Sequence, residues 1–95
     1  MEKTKVVQLS RSIESNNGKE VYQEIHLREP VLIEVEQFYE ADRKSNPLAA
    51  MRLLIALVSS IPETVLKKMV ISDFRECEAF LTRFLAYTPF DSGSN

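Results

Sequence analysis

The side chains that could do chemistry in this chain are few, and each stands alone. His26 is the sole histidine and Cys77 the sole cysteine. A catalytic imidazole needs a positioned partner and a metal needs several ligands at set spacings. Neither arrangement surrounds His26, which the local alternation puts on the solvated side of a strand. Cys77 falls on an apolar helical stripe, where an inert buried thiol is expected, because a reactive thiolate needs positive charge nearby. A lone cysteine also rules out an intrachain disulfide and cysteine-cluster zinc, which fits a reducing cytosol. Glu34, Glu36, Glu40 and Asp42 are neighbours in sequence but spread round the outer side of one helix, so they read as a solvated face. Two glycines placed apart cannot form a phosphate-binding loop. Lys67-Lys68 and Arg43-Lys44 lack aromatic interleaving, and twelve basic against fourteen acidic residues leave a net charge of −2 with no field to draw nucleic acid. No catalytic residue, metal site or cofactor is expected, and no nucleic-acid partner.

The elements that would position these residues are easier to read. The stretch Pro47–Ser60, PLAAMRLLIALVSS, carries one charge. On a helical wheel Leu48, Ala50, Met51, Leu53, Leu54, Ile55, Leu57, Val58 and Ile61 share an arc of roughly 220°, about twice what one neighbour covers. This helix must therefore be contacted from at least two sides. At about 21 Å it is too short for a hydrocarbon core of about 30 Å, so no membrane partner is expected. Asn46 and Pro47 mark its start, and Ser60 with Glu63 has the spacing of a capping box for a short helix over residues 63–69.

Ahead of it, residues 6–14 and 20–28 alternate as two strands around Asn16-Asn17-Gly18. A two-residue loop at Asn17-Gly18 would pair Ile13 with Tyr22 and mix the apolar and polar faces. A three-residue loop with Gly18 left-handed sets Ser15 against Lys19 and pairs Ile13 with Val21, Leu9 with Ile25 and Val7 with Leu27. Pro30 ends the second strand, and a helix follows from about Ile33 to Lys44, with Val31, Leu32, Val35, Phe38 and Tyr39 on its apolar face and Ile33 on its polar side. Ser72 reads as the N-cap of a last helix running from Asp73 to about Tyr87, with Phe74, Cys77, Phe80, Leu81, Phe84, Leu85 and Tyr87 on one arc. The fold class expected is α+β: an N-terminal two-stranded antiparallel hairpin packed on three to four helices. One domain over residues 1–88 and a disordered tail over 89–95 complete the expectation. With 44% hydrophobic residues in 95, the central and last helices offer more apolar arc than a hairpin and one amphipathic helix cover. The surplus points to protein binding or to self-association.

The order of features resembles a known family. A hairpin closes in Leu27-Arg28-Glu29-Pro30; an acidic helix and a very apolar helix follow, then Ile61-Pro62-Glu63 and Ile71-Ser72-Asp73-Phe74. Over residues 20–86 this is similar to the small tail assembly chaperones of Mu-like and related contractile-tailed bacteriophages, with a departure at Val31-Leu32-Ile33, where that family often has Thr as a cap and a more polar helix start. The resemblance implies a protein of the host bacterial cytoplasm, absent from the mature virion, that performs no catalysis. It would bind the long helical tape-measure protein and keep it soluble until tail-tube subunits polymerise, with the tail-tube protein as a further partner. On the wheels, Leu48, Met51 and Ile55 at one edge and Phe80 and Phe84 at another are the candidate partner-binding residues. The alternative is a small homo-oligomeric adaptor of other role, which would self-associate without taking up apolar helices.

Overall fold

Asn46 and Pro47 act as their types require. The Asn46 side chain accepts a hydrogen bond from the Ala49 amide at 2.8 Å, and Pro47 occupies the first helical position of α2 (Pro47–Ser59), where a missing N–H costs nothing. The computed structural model describes residues 2–85. Around α2 stand β1 (Thr4–Glu14), β2 (Val21–Arg28), α1 (Leu32–Lys44), the single turn α3 (Glu63–Leu66), α4 (Ile71–Leu81) and a 3-10 turn over Thr82–Phe84. The chain is thus α+β, one antiparallel two-stranded sheet followed by four helices. β2, α1, α3 and α4 all pack on α2, and α4 also lies on β1. That is why α2 is apolar over so wide an arc: Ala50, Met51, Leu54, Ile55 and Val58 are all buried. Met51, Leu54, Ile55 and Val58 meet Val7, Ile13, Ile25 and Leu27 from the sheet and Phe74, Cys77, Phe80 and Leu81 from α4 in one core.

The hairpin register differs from the expected one. Ser15 faces Glu20 rather than Lys19, with its amide donating to the Glu20 carbonyl at 2.8 Å, so the loop is one residue longer. Gly18 is left-handed at φ 72°, as the turn requires. The pairs are then Ile13 with Tyr22 near the turn but Val7 with Ile25 further on, because β1 is irregular between Gln8 and Ile13. The mixed pairing is tolerated through that irregularity. β2 turns Tyr22 partly inward near the turn and Ile25 and Leu27 inward beyond it, leaving Val21 exposed.

Three helix ends are also corrected. Ser60 does not cap α3; it stops α2 in the left-handed region at φ 63°, and Pro62 takes the cap position before Glu63. Ser72 is not an N-cap either, since Val70 holds that position and α4 begins at Ile71. Finally α4 gives way at Leu81 to the 3-10 turn, where the Thr82 hydroxyl donates to the Ala79 carbonyl at 3.3 Å and competes for the helical ladder. The expected helix end at Tyr87 and the expected tail over 89–95 lie outside the described residues.

Candidate binding surface

The two chemically suggestive side chains sit as their patterns imply. His26 projects from β2 into solvent, and its Nε2 meets Glu24 at 2.7 Å. Glu24 is held below the usual carboxylate range by the Gln8 amide and then by His26. Cys77 is fully buried, and burial, with Glu76 and Asp73 adding to it, pushes its thiol up to about 12. Such a thiol stays protonated and inert near neutral pH. Among the described residues no group of three or more His, Cys, Asp or Glu is placed to hold a metal ion, and no helix is long and apolar enough to cross a membrane.

Two polar junctions fix the helices relative to the sheet. At the irregularity in β1, the Ser10 amide donates to both oxygens of Asp73, at 3.1 and 3.0 Å, and the Ser10 hydroxyl donates to one of them at 3.1 Å. Asp73 lies in the first turn of α4 and is almost fully buried, so its carboxylate both meets the positive end of the helix and anchors an amide pointing away from the β2 partner. At the other end of the sheet, Arg28 donates through both nitrogens to the Glu34 carboxylate, at 2.9 and 2.7 Å, and also to the Leu57 carbonyl in the last turn of α2 at 3.2 Å. Glu34 in turn accepts from the Val31 amide at 2.9 Å, the N3 side-chain contact that closes the start of α1. Arg28 is the main reason the Glu34 carboxyl is held below its ordinary value. The Leu27-Arg28-Glu29-Pro30 segment is therefore the hinge pin between sheet, α1 and α2.

What that pin holds out is apolar. α1 buries none of its residues: Leu32 is 75% exposed and Val31, Ile33 and Tyr39 are largely open. Leu32, Val35 and Tyr39 follow one another at i, i+3 and i+7, one stripe of a helix. With Glu36 and with Phe84 from the 3-10 turn they line a cleft of about 460 Å³. Tyr39 ties the two walls together by donating its hydroxyl to the Leu85 carbonyl at 2.5 Å. A second, smaller cleft of about 190 Å³ lies between Leu48, Ile71 and Phe74, beside Arg52 and Lys67.

The five candidate partner-binding residues separate in the structure. Met51, Ile55 and Phe80 are core, each no more than 2% exposed. Leu48 is open and borders the smaller cleft, whereas Phe84 is half-buried and borders the larger one. They do not line one groove, because the edges of the α2 and α4 arcs face each other across the core. Leu32, Val35 and Tyr39 were not among the five. The sequence signal for them is the apolar start Val31-Leu32-Ile33.

The chain is thus a small α+β module with open apolar clefts on α1 and beside Leu48. The chain belongs to the phage tail assembly chaperone family: the profile described as "Phage tail assembly chaperone proteins, E, or 41 or 14" matches residues 6–86. No curated protein and no solved structure matches it.

Proposed function

We propose that this chain binds the tape-measure protein of its phage or prophage and keeps it soluble while the tail tube assembles around it. The observation that carries the reading is the exposed apolar stripe on α1, in a chain whose family acts in tail assembly. An extended, largely helical client offers long apolar faces before the tube covers them, and a chaperone needs an apolar surface of its own to shield them. On this reading the protein acts in the host cytoplasm, is left out of the virion and performs no catalysis. Of the expected contact residues, the exposed Leu48 and the half-buried Phe84 each border a cleft that such a client could enter, whereas Met51, Ile55 and Phe80 would be reached only if the core opened. The tail-tube protein is a second candidate partner.

The test is co-expression with the tape-measure protein, scored by the soluble yield of that protein with and without this chain. A raised yield and co-purification are expected; an unchanged yield would sink the proposal. The adaptor alternative draws on the second cleft, where Leu48 and Ile71 are each more than half exposed and could pair with a second copy. It predicts a concentration-dependent mass in sedimentation and no effect on the tape-measure protein.

A further inference from the structure

We infer that the cleft of Leu32, Val35, Tyr39 and Phe84 seats an amphipathic helix that carries basic residues beside its apolar face, an inference that rests on the chaperone reading above. The three α1 residues form the seam that one helix offers another, and Phe84 supplies the opposite wall. Charge decides the occupant. Glu36 borders the cleft, and Asp42 continues the Val35 row two turns further along α1. Neither has an ion-pair partner among the described residues. The other two acids of the helix are engaged, Glu34 by Arg28 and Glu40 by Arg43 and Lys44. Arg43, one turn beyond Tyr39 on the same helix, is therefore already taken by Glu40, and Arg83, next to Phe84 in the chain, lies over the Phe80 ring. A second copy of the chain seated face to face would bring Glu36 and Asp42 against like charges, which disfavours it. Residues 86–95 contain no Lys, Arg or His that could neutralise them. A separate helix with apolar residues at i, i+3, i+4 and i+7 and Lys or Arg along the flanks satisfies both the stripe and the two free carboxylates.

The probe is a synthetic helical peptide with Leu at i, i+3, i+4 and i+7 flanked by Lys, with a second peptide that has Glu in place of every Lys. Binding to the full chain is read by fluorescence anisotropy at low salt, for the native protein and for Leu32→Ser and Glu36→Lys, whose exposed positions leave the fold intact, as a circular-dichroism melt would verify. The Lys peptide should bind roughly tenfold or more tightly than the Glu peptide. Leu32→Ser should weaken it by roughly tenfold, and Glu36→Lys should narrow or reverse the preference. Equal binding of both peptides, or of neither, overturns the inference. So does a dimer of the native chain that Leu32→Ser dissociates, which would make the occupant a second copy. Binding that appears only after residues 86–95 are deleted overturns it as well, since the chain's own segment would then hold the cleft. Co-expression keeps the two readings apart. If the native chain solubilises the tape-measure protein and both variants do so equally, this cleft is not the seat although the chaperone reading stands; if the native chain does not solubilise it, the chaperone reading itself fails.

Discussion

Helices α1 and α4 each carry an apolar arc and meet opposite fates. α4 buries Phe74, Cys77, Phe80 and Leu81 between β1 and α2, and even its Asp73 carboxylate is enclosed by the strand it anchors. α1 has no fully buried residue: Phe38 packs partly buried against the core on the side that α2 supports, and the outward apolar row meets the single turn around Phe84. Periodicity reports which face of a helix is apolar, whereas only its neighbours report whether that face is covered. Each helix has a polar anchor, Asp73 on Ser10 for α4 and Arg28 on Glu34 for α1, and α1 in addition rests on α2 by its inner side. Its outward apolar face can stay open because the position of the helix does not depend on burying it.

The comparison is broken most forcefully from the covered side. Leu54 of α2 is fully buried in the shared core, so Leu54→Ala should cost about 2–5 kcal/mol in denaturant unfolding. Met51→Asp, which places a charge in that core, should abolish the cooperative transition altogether. A folded, cooperative Met51→Asp protein would mean that α2 has an open side.

Next in size is the anchor between α4 and β1. Asp73→Ala leaves the Ser10 amide without its acceptor and should cost about 1–3 kcal/mol. Ser10→Ala removes one hydroxyl bond and keeps the amide bonds, so it should cost about 1 kcal/mol or less. Equal losses for the two variants would show that the hydroxyl, not the amide, holds the strand to the helix.

This anchor also explains what was legible beforehand. The α2 boundary could be read from Asn46 and Pro47 because capping is local, and the two strands and the buried Cys77 followed from short-range period. The hairpin register could not. It depends on an irregularity at Leu9–Ser12 that is held by a carboxylate more than sixty residues away in sequence, a tertiary contact that no strand pattern contains. The binding surface was half legible for a similar reason. Val31, Leu32 and Ile33 are visibly too apolar for a helix start, yet assigning them to surface or core needs the position of α1 on α2.

The clamp on the open helix gives a smaller, pH-dependent effect. Arg28 holds the Glu34 carboxyl below its ordinary value of 4.5, with burial opposing and the Val31 amide assisting. A depressed carboxyl contributes stability that is present above its unfolded value and lost as pH falls through the folded one. The native protein should therefore lose up to about 1 kcal/mol more than Glu34→Gln as pH is lowered from 6 to below about 4, the figure being limited by the half-open Arg28. Parallel stability–pH curves for the two proteins would show that the clamp contributes nothing and that α1 is held by its packing on α2, Phe38 included.

The smallest expected effect is the most informative about the open side. Leu32 is 75% exposed, and in α1 it lies on the outward row with Val35 and Tyr39. Removing an exposed apolar side chain leaves no cavity and strands no polar group, so Leu32→Ser should change stability by no more than about 0.5 kcal/mol. The position is also near the helix start, where serine's lower helix propensity has little ladder to weaken. Leu54→Ala changes a leucine of the same size in the neighbouring helix, so the pair measures cover directly, with the residue type held constant. A loss above about 1 kcal/mol for Leu32→Ser would mean that this row is covered in the isolated protein, and the contrast between α1 and α4 would then be one of degree. A near-zero loss leaves Leu32 as apolar surface that folding does not need, which is the condition a binding surface has to meet before any partner is considered.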